Sequence, residues 1–214
     1  MIVIRDMSYS WGQDKPLFEH LDITISANKS ILLTGDNGAG KSTLLRLIIG
    51  ALQPNSGSIT YNEIDTYRPQ CPLFAEAFYL SQNTTENLVG ISPFEDLSIW
   101  LMAQPPIVER HELEPLLDSF GVADLAHQPI AHLSTGEKRL VSLCMLPQLM
   151  HKYWILDEPF AGLDAINRKR LLELIIAKQK LHRGLILVSH DVDTLTHLMD
   201  ETWEIRDRSL SRSL

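Results

Sequence analysis

The first third of the chain alternates apolar and polar residues in short runs. Residues 2–4 and 21–25 show the period-two pattern that is typical of half-buried strands. We expect these runs to form a small antiparallel sheet. Residues 30–34 are instead continuously apolar, and after a glycine-rich stretch residues 41–49 are apolar at helical spacing. This order predicts a strand, a loop and a helix.

The middle of the chain has a different pattern, in which prolines separate short helical stretches such as residues 112–120. These prolines are Pro93, Pro105, Pro106, Pro115 and Pro129. We interpret this part as an inserted helical lobe. From Tyr153 the alternation resumes, and the pattern predicts strands at 153–156, 185–189 and 201–205 and helices at 165–181 and 192–199. Alternating strands and helices predict an α/β fold with a mainly parallel core sheet.

The composition of the chain excludes several classes of protein. The chain has 214 residues, of which 44% are hydrophobic, enough for one domain with a substantial core. Its net charge of -8 argues against a nucleic-acid partner. We find no apolar run long enough to span a membrane and no signal-peptide pattern, so we expect a cytoplasmic protein. Cys71 and Cys144 lack metal-site spacing and are expected to be ordinary packing residues.

The glycine-rich stretch carries a phosphate-binding pattern. Residues 35–42 have the sequence GDNGAGKS, which fits G-x-x-x-x-G-K-[ST] between a predicted strand and a predicted helix. Glycines let backbone N–H groups converge on phosphate oxygens, Lys41 would reach the β- and γ-phosphates, and the Ser42 hydroxyl would bind Mg²⁺. The expected ATP-binding residues here are Gly35, Asp36, Asn37, Gly38, Ala39, Gly40, Lys41, Ser42 and Thr43.

Two adjacent carboxylates end the strand predicted at 153–156. Ligands of open α/β sheets bind at the carboxyl ends of the strands, which is where Asp157 and Glu158 lie. Asp157 is suited to hold Mg²⁺ through its water shell, and Glu158 to polarise the water that attacks the γ-phosphate. A strand that ends in a solvated acidic turn would look the same in isolation. The phosphate-binding pattern makes the catalytic interpretation the better one.

Five further segments follow in the order and spacing of the ATP-binding cassette (ABC) ATPases, and the chain resembles that family over its whole length. These segments are Trp11, Gln82, residues 133–137 (LSTGE), residues 161–164 (AGLD) and His190. The resemblance implies that Trp11 stacks on adenine, although Tyr9 is an alternative. It further implies that Gln82 contacts Mg²⁺ and the attacking water, and that His190 is the switch histidine.

The resemblance also implies a domain organisation and a dimer. Residues 1–214 would form one nucleotide-binding domain, with a core at about 1–82 and 150–214 and a helical subdomain at about 83–149. Segment 133–137 resembles the family signature, whose Ser134 and Gly136 would bind the ATP held by a second cassette. It departs from the family pattern at Thr135 and Glu137, and Glu137 brings a negative charge near that ATP.

The implied function is Mg²⁺-dependent ATP hydrolysis that drives transport. Partners would be a second cassette, identical or related, and a transmembrane subunit, which places the chain on the cytoplasmic face of the membrane. Residues 82–101 and the AGLD segment are similar to the energy-coupling-factor and cobalt or nickel importers, which take up vitamins and metal ions. The alternatives are an ABC ATPase without a transport role and a weakly catalytic regulatory cassette.

A transmembrane partner needs a docking surface, and the sequence suggests one beside Gln82. The apolar and aromatic residues expected there are Tyr79, Leu88, Val89, Ile91, Phe94, Leu97, Ile99 and Trp100. Some of them would simply pack inside the lobe, but they are more numerous than a small lobe needs for its own core. We therefore predict a groove that accepts a helix of the partner.

Overall fold

A computed structural model of the protein describes residues 1–12, 15–102 and 110–213. The sequence pattern at Pro105 and Pro106 therefore lies outside the described residues. The chain divides into two compact units. The first unit comprises Met1–Tyr79, His151–Pro159 and Lys178–Leu214, and the second comprises Leu80–Met150 and Phe160–Ala177.

The first unit contains a four-stranded antiparallel sheet in the order β2-β1-β4-β5. Its strands are β1 (Ile2–Tyr9), β2 (Phe18–Ile25), β4 (Ser56–Tyr61) and β5 (Ile64–Asp65). In the β1–β2 pair Ile2 lies opposite Ile25, and Ile4 opposite Ile23, so the apolar positions of the two strands share one face. The antiparallel sheet predicted from the period-two runs is confirmed. Glycine and serine at the start of β4 interrupt the apolar alternation, which explains why the pattern did not predict it.

A six-stranded sheet follows in the order β10-β9-β3-β8-β7-β6. Its strands are β3 (Ser30–Gly35), β6 (Ala77–Leu80), β7 (Tyr153–Asp157), β8 (Gly184–Val188), β9 (Glu201–Arg206) and β10 (Ser209–Ser213). Strand β3 pairs in parallel with β8 and β9, and β8 in parallel with β7, whereas β10 returns antiparallel to β9. Every residue of β7 and β8 is buried, as expected for central parallel strands. The mainly parallel α/β core is thus confirmed.

Among the described residues, three α-helices belong to the first unit, and the last turn of a fourth lies in it. They are α1 (Lys41–Ile48), α2 (Leu73–Glu76), α7 (Val192–Thr196) and the end of α6 (Ala165–Lys180). The helix predicted at 192–199 was too long. After Thr196 the helical hydrogen bonds give way to those of single turns. The Asp200 N–H donates to Ser30 O at 2.9 Å, and β9 begins at the next residue.

One hydrophobic core fills the first unit. Fully buried side chains from both sheets and from α1 contribute to it, including Ile4, Ile31, Leu44, Ile155 and Trp203. Both cysteines, Cys71 and Cys144, are free and buried, as predicted, and Cys71 belongs to this core.

The second unit is helical. It holds α3 (Pro93–Met102), α4 (Leu113–Asp118) and α5 (Thr135–Cys144), with α4 packed against both others. The buried Asp96 fixes the chain before α3, because its Oδ1 accepts from the N–H groups of Val89 and Gly90 at 2.6 and 2.9 Å. Among the described residues, no helix combines the length and the apolar character needed to cross a membrane.

Candidate functional site

The phosphate-binding loop lies between the end of β3 and the start of α1. Gly35 has φ +138°, and a Cβ built there would lie 2.6 Å from Ile205 O on the neighbouring strand. Gly40, just before the helix, has φ +103°, and a Cβ there would lie 2.8 Å from Phe18. Both positions require glycine, because they combine left-handed backbone with close packing.

Lys41 begins α1, and its side chain folds back over the loop. Its Nζ donates to Gly35 O at 2.7 Å and to Asp36 O at 3.0 Å, and the residue is buried. The first turn of α1 contains no acidic residue. The positive charge, the N-terminal end of the helix and its free N–H groups together favour an anion such as a phosphate at this position.

Asp157 ends β7 with a carboxylate that is almost fully buried. The Ser42 hydroxyl forms a hydrogen bond with it, and Tyr79 Oη lies 3.5 Å from its Oδ2. Burial raises the pKa of the Asp157 carboxyl, and the bonds from Ser42 and Tyr79 act in the opposite direction. Its Oδ1 is buried without a hydrogen-bond partner among the described residues. The paired hydroxyl and carboxylate are hard oxygen donors that suit a divalent cation.

Glu158 follows Asp157 in a strained turn. Its φ is +50°, and its N–H donates to Val188 O at 3.1 Å. The carboxylate is buried, and its Oε1 lies 3.1 Å from Nε2 of the more exposed His190. The pair is close enough for an ion pair but is not aligned as a hydrogen bond, so within the described structure Oε1 retains its lone pairs for another donor. A water molecule is such a donor.

The aromatic residues near the chain start differ in exposure. Trp11 is 49% exposed and Tyr9 is only 7% exposed, and the two rings meet edge to face at 5.3 Å. Tyr9 therefore supports the Trp11 ring and has little free surface of its own. Of the two rings, Trp11 has the exposed surface that stacking on a base needs, and its contact with adenine stays a prediction.

Ser134 and Gly136 lie in the second unit, at the start of α5. Ser134 is the N-cap, and Glu137 completes a capping box with it, so each side chain bonds the backbone N–H of the other residue. A Cβ added to Gly136 would meet no atom within 4 Å. The helix start is thus an open surface rather than an internal contact of the unit.

Gln82 is exposed and also lies in the second unit. Its backbone is anchored by the buried Arg139 of α5, whose Nη2 donates to Gln82 O at 2.7 Å and whose Nη1 donates to Ser81 O at 3.3 Å. Arg139 is a further candidate residue that the sequence pattern did not indicate. An arginine in the first turns of a helix usually indicates a surface charge, and only the fold reveals its backbone partners.

The structure divides the predicted site residues between the two units. The first unit brings together the loop, Lys41, Ser42, Asp157, Glu158 and His190, and it adds Tyr79, which we had assigned to the docking surface. The second unit holds Gln82, Ser134 and Gly136.

The expected docking surface is smaller than its sequence suggested. Phe94 and Leu97 are buried, because they lie on the inner face of α3. Val89, Ile91 and Ile99 are 59%, 74% and 46% exposed. These three side chains form the exposed apolar set of this segment.

Comparisons with known proteins agree with this geometry. The family model of the ABC transporter matches residues 18–161, which is more than half of the chain. The chain is 34% identical over 175 residues to the cytochrome c biogenesis ATP-binding export protein of Brucella abortus, covering 81% of this chain and 78% of that protein. It is 28% identical over 200 residues to the cobalt import ATP-binding protein of Syntrophus aciditrophicus, covering 91% and 71%.

Solved structures share the fold. An ATP-binding subunit of an ABC transporter superposes with a TM-score of 0.84 at 24% identity, covering 99% of this chain and 89% of that one. A dimeric ATP-binding cassette in a post-hydrolysis state, bound to ADP and phosphate, superposes with a TM-score of 0.82 at 16% identity, covering 100% and 98%. The chain belongs to the ABC transporter family and is an ATP-binding and ATP-hydrolysing subunit.

Proposed function

We propose that this cassette binds MgATP on the loop at residues 35–43 and hydrolyses it with Glu158 as the group that orients the attacking water. The observation that supports this most directly is a pair of buried carboxylate oxygens that have no hydrogen-bond partner in the described structure, Asp157 Oδ1 at the end of β7 and Glu158 Oε1 on the next residue. Buried carboxylate oxygens normally have partners. The water shell of a bound Mg²⁺ would supply a partner for Asp157 Oδ1, and the attacking water molecule would supply one for Glu158 Oε1.

The residues present fit Mg²⁺. Ser42 and Asp157 supply hard oxygens, and the described residues contain no group of three or more His, Cys, Asp or Glu that could hold a metal alone. Mg²⁺ characteristically takes one or two protein ligands and completes its shell with phosphate oxygens and water. We assign Ser42 and Asp157 to the ion, with Gln82 as the third ligand that the family resemblance implies. When bound, Mg²⁺ neutralises charge on the β- and γ-phosphates.

The chemistry proposed for the chain's own groups is positional. Lys41 and the loop N–H groups hold the phosphates, and Glu158 accepts a proton from the water. The water oxygen attacks the γ-phosphorus as its bond to the bridging oxygen breaks, and that oxygen leaves with the electron pair on ADP. The products are ADP and inorganic phosphate. His190, 3.1 Å from Glu158, would keep that carboxylate in place and contact the γ-phosphate.

Substitutions of Lys41 and Glu158 should separate binding from chemistry. Lys41→Ala should weaken nucleotide binding, whereas Glu158→Gln should retain ATP while turnover falls by about 10² to 10⁴-fold, the usual contribution of a positioned general base. Equilibrium binding of a fluorescent ATP analogue and steady-state phosphate release measure the two effects. Glu173→Gln, an exposed change on α6, is the matched control. An unchanged turnover in Glu158→Gln would show that another group orients the water.

We further propose that two cassettes enclose ATP head to tail. Ser134 and Gly136 form an open helix start with no internal use for the space above Gly136, and a structural relative of the chain is a dimer bound to ADP and phosphate. In this arrangement Lys41 of one copy and Ser134 of the other contact the same nucleotide. The second cassette is either identical or related.

The dimer is proposed to drive a transmembrane subunit, which places the cassette at the cytoplasmic face of the membrane. Its relatives include an export protein and a cobalt import protein. Import of a vitamin or metal ion, which the family resemblance implies, stays a prediction. The cargo is recognised by the membrane partner, so co-purification followed by identification of that partner tests this assignment.

The exposed set Val89, Ile91 and Ile99 is the proposed contact with the membrane partner. Exposed apolar side chains are common points of contact with a partner helix. Changing each residue to Asp should release the cassette from membranes while ATP binding stays intact. Leu181→Asp, at another exposed apolar residue, is the control. Retention on membranes would place the contact elsewhere, and recovery with ribosomes would favour a role outside transport.

A further inference from the structure

Ser134 is fully engaged by its own helix. Its Oγ donates to Glu137 Oε2 at 2.7 Å, its backbone N–H donates to the same oxygen at 2.7 Å, and its Oγ accepts from the Glu137 N–H at 3.3 Å. A serine hydroxyl has a single hydrogen to donate. That hydrogen points to Glu137 and is not available to a phosphate.

The charge at the start of α5 also disfavours a phosphate. The first N–H groups of a helix attract anions because the helix N-terminus carries a partial positive charge. The Glu137 carboxylate already lies in that first turn. The bonds from the Ser134 hydroxyl and N–H hold the pKa of Glu137 below its usual value, so the carboxylate is ionised at neutral pH. A γ-phosphate approaching Ser134 would meet a negative charge on the residue that occupies its hydroxyl.

Space does not obstruct the phosphate. Gly136 has open surroundings, and both Ser134 and Thr135 are exposed. What opposes the phosphate is therefore the bonding of Ser134 and the charge of Glu137, not a steric barrier.

We propose that Glu137 acts as an internal competitor of the γ-phosphate at Ser134, so that it sets the ATP concentration at which the dimer closes. Closure requires the Glu137 side chain to release the Ser134 hydroxyl, which then turns its hydrogen to the phosphate of the ATP bound by the other copy. Glu137 is a positioning residue in this account, because it acts on the nucleotide through Ser134. The inference rests on the head-to-tail dimer proposed above.

Replacement of Glu137 by glutamine isolates the effect of its charge. Gln can complete a capping box as Glu does, so the helix start keeps its hydrogen bonds while the negative charge is lost. Glu137→Gln should therefore lower the urea unfolding midpoint only slightly, because the capping bonds remain and only the charge that the helix N-terminus favours is lost. A residue with only a capping role would show no further effect of this substitution.

The test is sedimentation velocity of the full chain over a range of ATP concentrations with Mg²⁺, with Glu158→Gln present in all variants to slow hydrolysis. Glu137→Gln should lower the ATP concentration for half-maximal dimer on the order of tenfold, the effect of one like-charge contact that is largely exposed to water. The difference should shrink at high salt, because exposed charges are screened. Glu114→Gln, an exposed substitution on α4 with the same change in charge, should cause no shift.

Equal ATP midpoints with and without the Glu137→Gln substitution would overturn the competition while leaving the head-to-tail dimer standing. A lowered midpoint that Glu114→Gln reproduces would overturn it as well, since net charge alone would explain the shift. If neither variant dimerises at saturating ATP although both bind it, a dimer of two identical chains is wrong, and the competition proposed for that dimer fails with it.

Discussion

Lys178 is a buried lysine near the end of α6. The pH dependence of stability that its burial causes can be measured, which tests the packing of this part of the first unit. The residue is 3% exposed, its Nζ donates to His151 O, and it lies 4.5 Å from the ring centroid of Trp154 on β7. Burial, followed by the charge of Arg183, lowers the pKa of Lys178 to about 7 from 10.5. The fold therefore disfavours the protonated form, in spite of the carbonyl and the aromatic ring.

The pH dependence follows from this direction. Between about pH 7 and pH 10.5 the unfolded chain holds a proton on Lys178 that the folded chain has released, so stability rises with pH across this window. With those two pKa values, the contribution of Lys178 to the free energy of unfolding increases by about 2.5 kcal/mol from roughly pH 6 to roughly pH 9. The charged form is the destabilised one, so the deficit is greatest at the acidic end.

The substitution that tests this is Lys178→Met, which keeps an unbranched side chain over Trp154 without the charge. Urea unfolding of both proteins at several pH values gives the difference in unfolding free energy, in which other titrating groups largely cancel. The advantage of Met over Lys should shrink by about 2.5 kcal/mol as the pH rises over that range. Lys180→Met, at an exposed position of the same helix, should show no such trend. A difference that is constant with pH would refute the lowered pKa.

Three further substitutions test separate parts of the site. Gly35→Ala should cost about 2 to 3 kcal/mol in urea unfolding, because its Cβ would lie 2.6 Å from Ile205 O; a loss under about 0.5 kcal/mol would contradict that packing. Arg139→Met should reduce the ATPase rate about tenfold by releasing the backbone of Gln82, and an unchanged rate would show that the anchor has no effect on catalysis. Trp11→Ala should weaken ATP binding about 5 to 100-fold, the usual range for an aromatic ring stacked on a base, and an unchanged Kd would remove Trp11 from the adenine site.

Much of the fold could be predicted from local pattern. The phosphate loop and β7 are short, strongly patterned segments whose neighbours in sequence determine their geometry, so their residues were identified in advance. Strands β4 and β10 were missed, because their serines and charged residues give no apolar alternation and their pairing depends on distant partners. The helix at 192–199 was predicted too long for a similar reason, since the turn after Thr196 depends on a bond to Ser30.

The site shows the same limit. Asp157 and Glu158 could be assigned from their place at the end of a strand, but the Tyr79 contact with Asp157 joins residues 78 positions apart. The charge of Glu137 could be noted from the sequence as a departure from the family pattern. The direction of the Glu137 side chain could not be predicted, because a side chain in the first turn of a helix can face the solvent or fold back onto the N-cap. The structure shows the latter, and the proposed competition depends on it.

The central claim is that each ATP is hydrolysed by groups from two cassettes. When both cassettes are copies of this chain, mixing two inactive variants tests the claim most directly. Lys41→Ala lacks the loop lysine and Ser134→Ala lacks the signature hydroxyl, so each alone should hydrolyse ATP slowly. In a mixed dimer one site carries both defects and the other carries none. If the chains exchange freely, the mixture should recover about a quarter of the wild-type rate, since a symmetric dimer has two equivalent sites. A mixture no more active than its separate components would contradict the shared site.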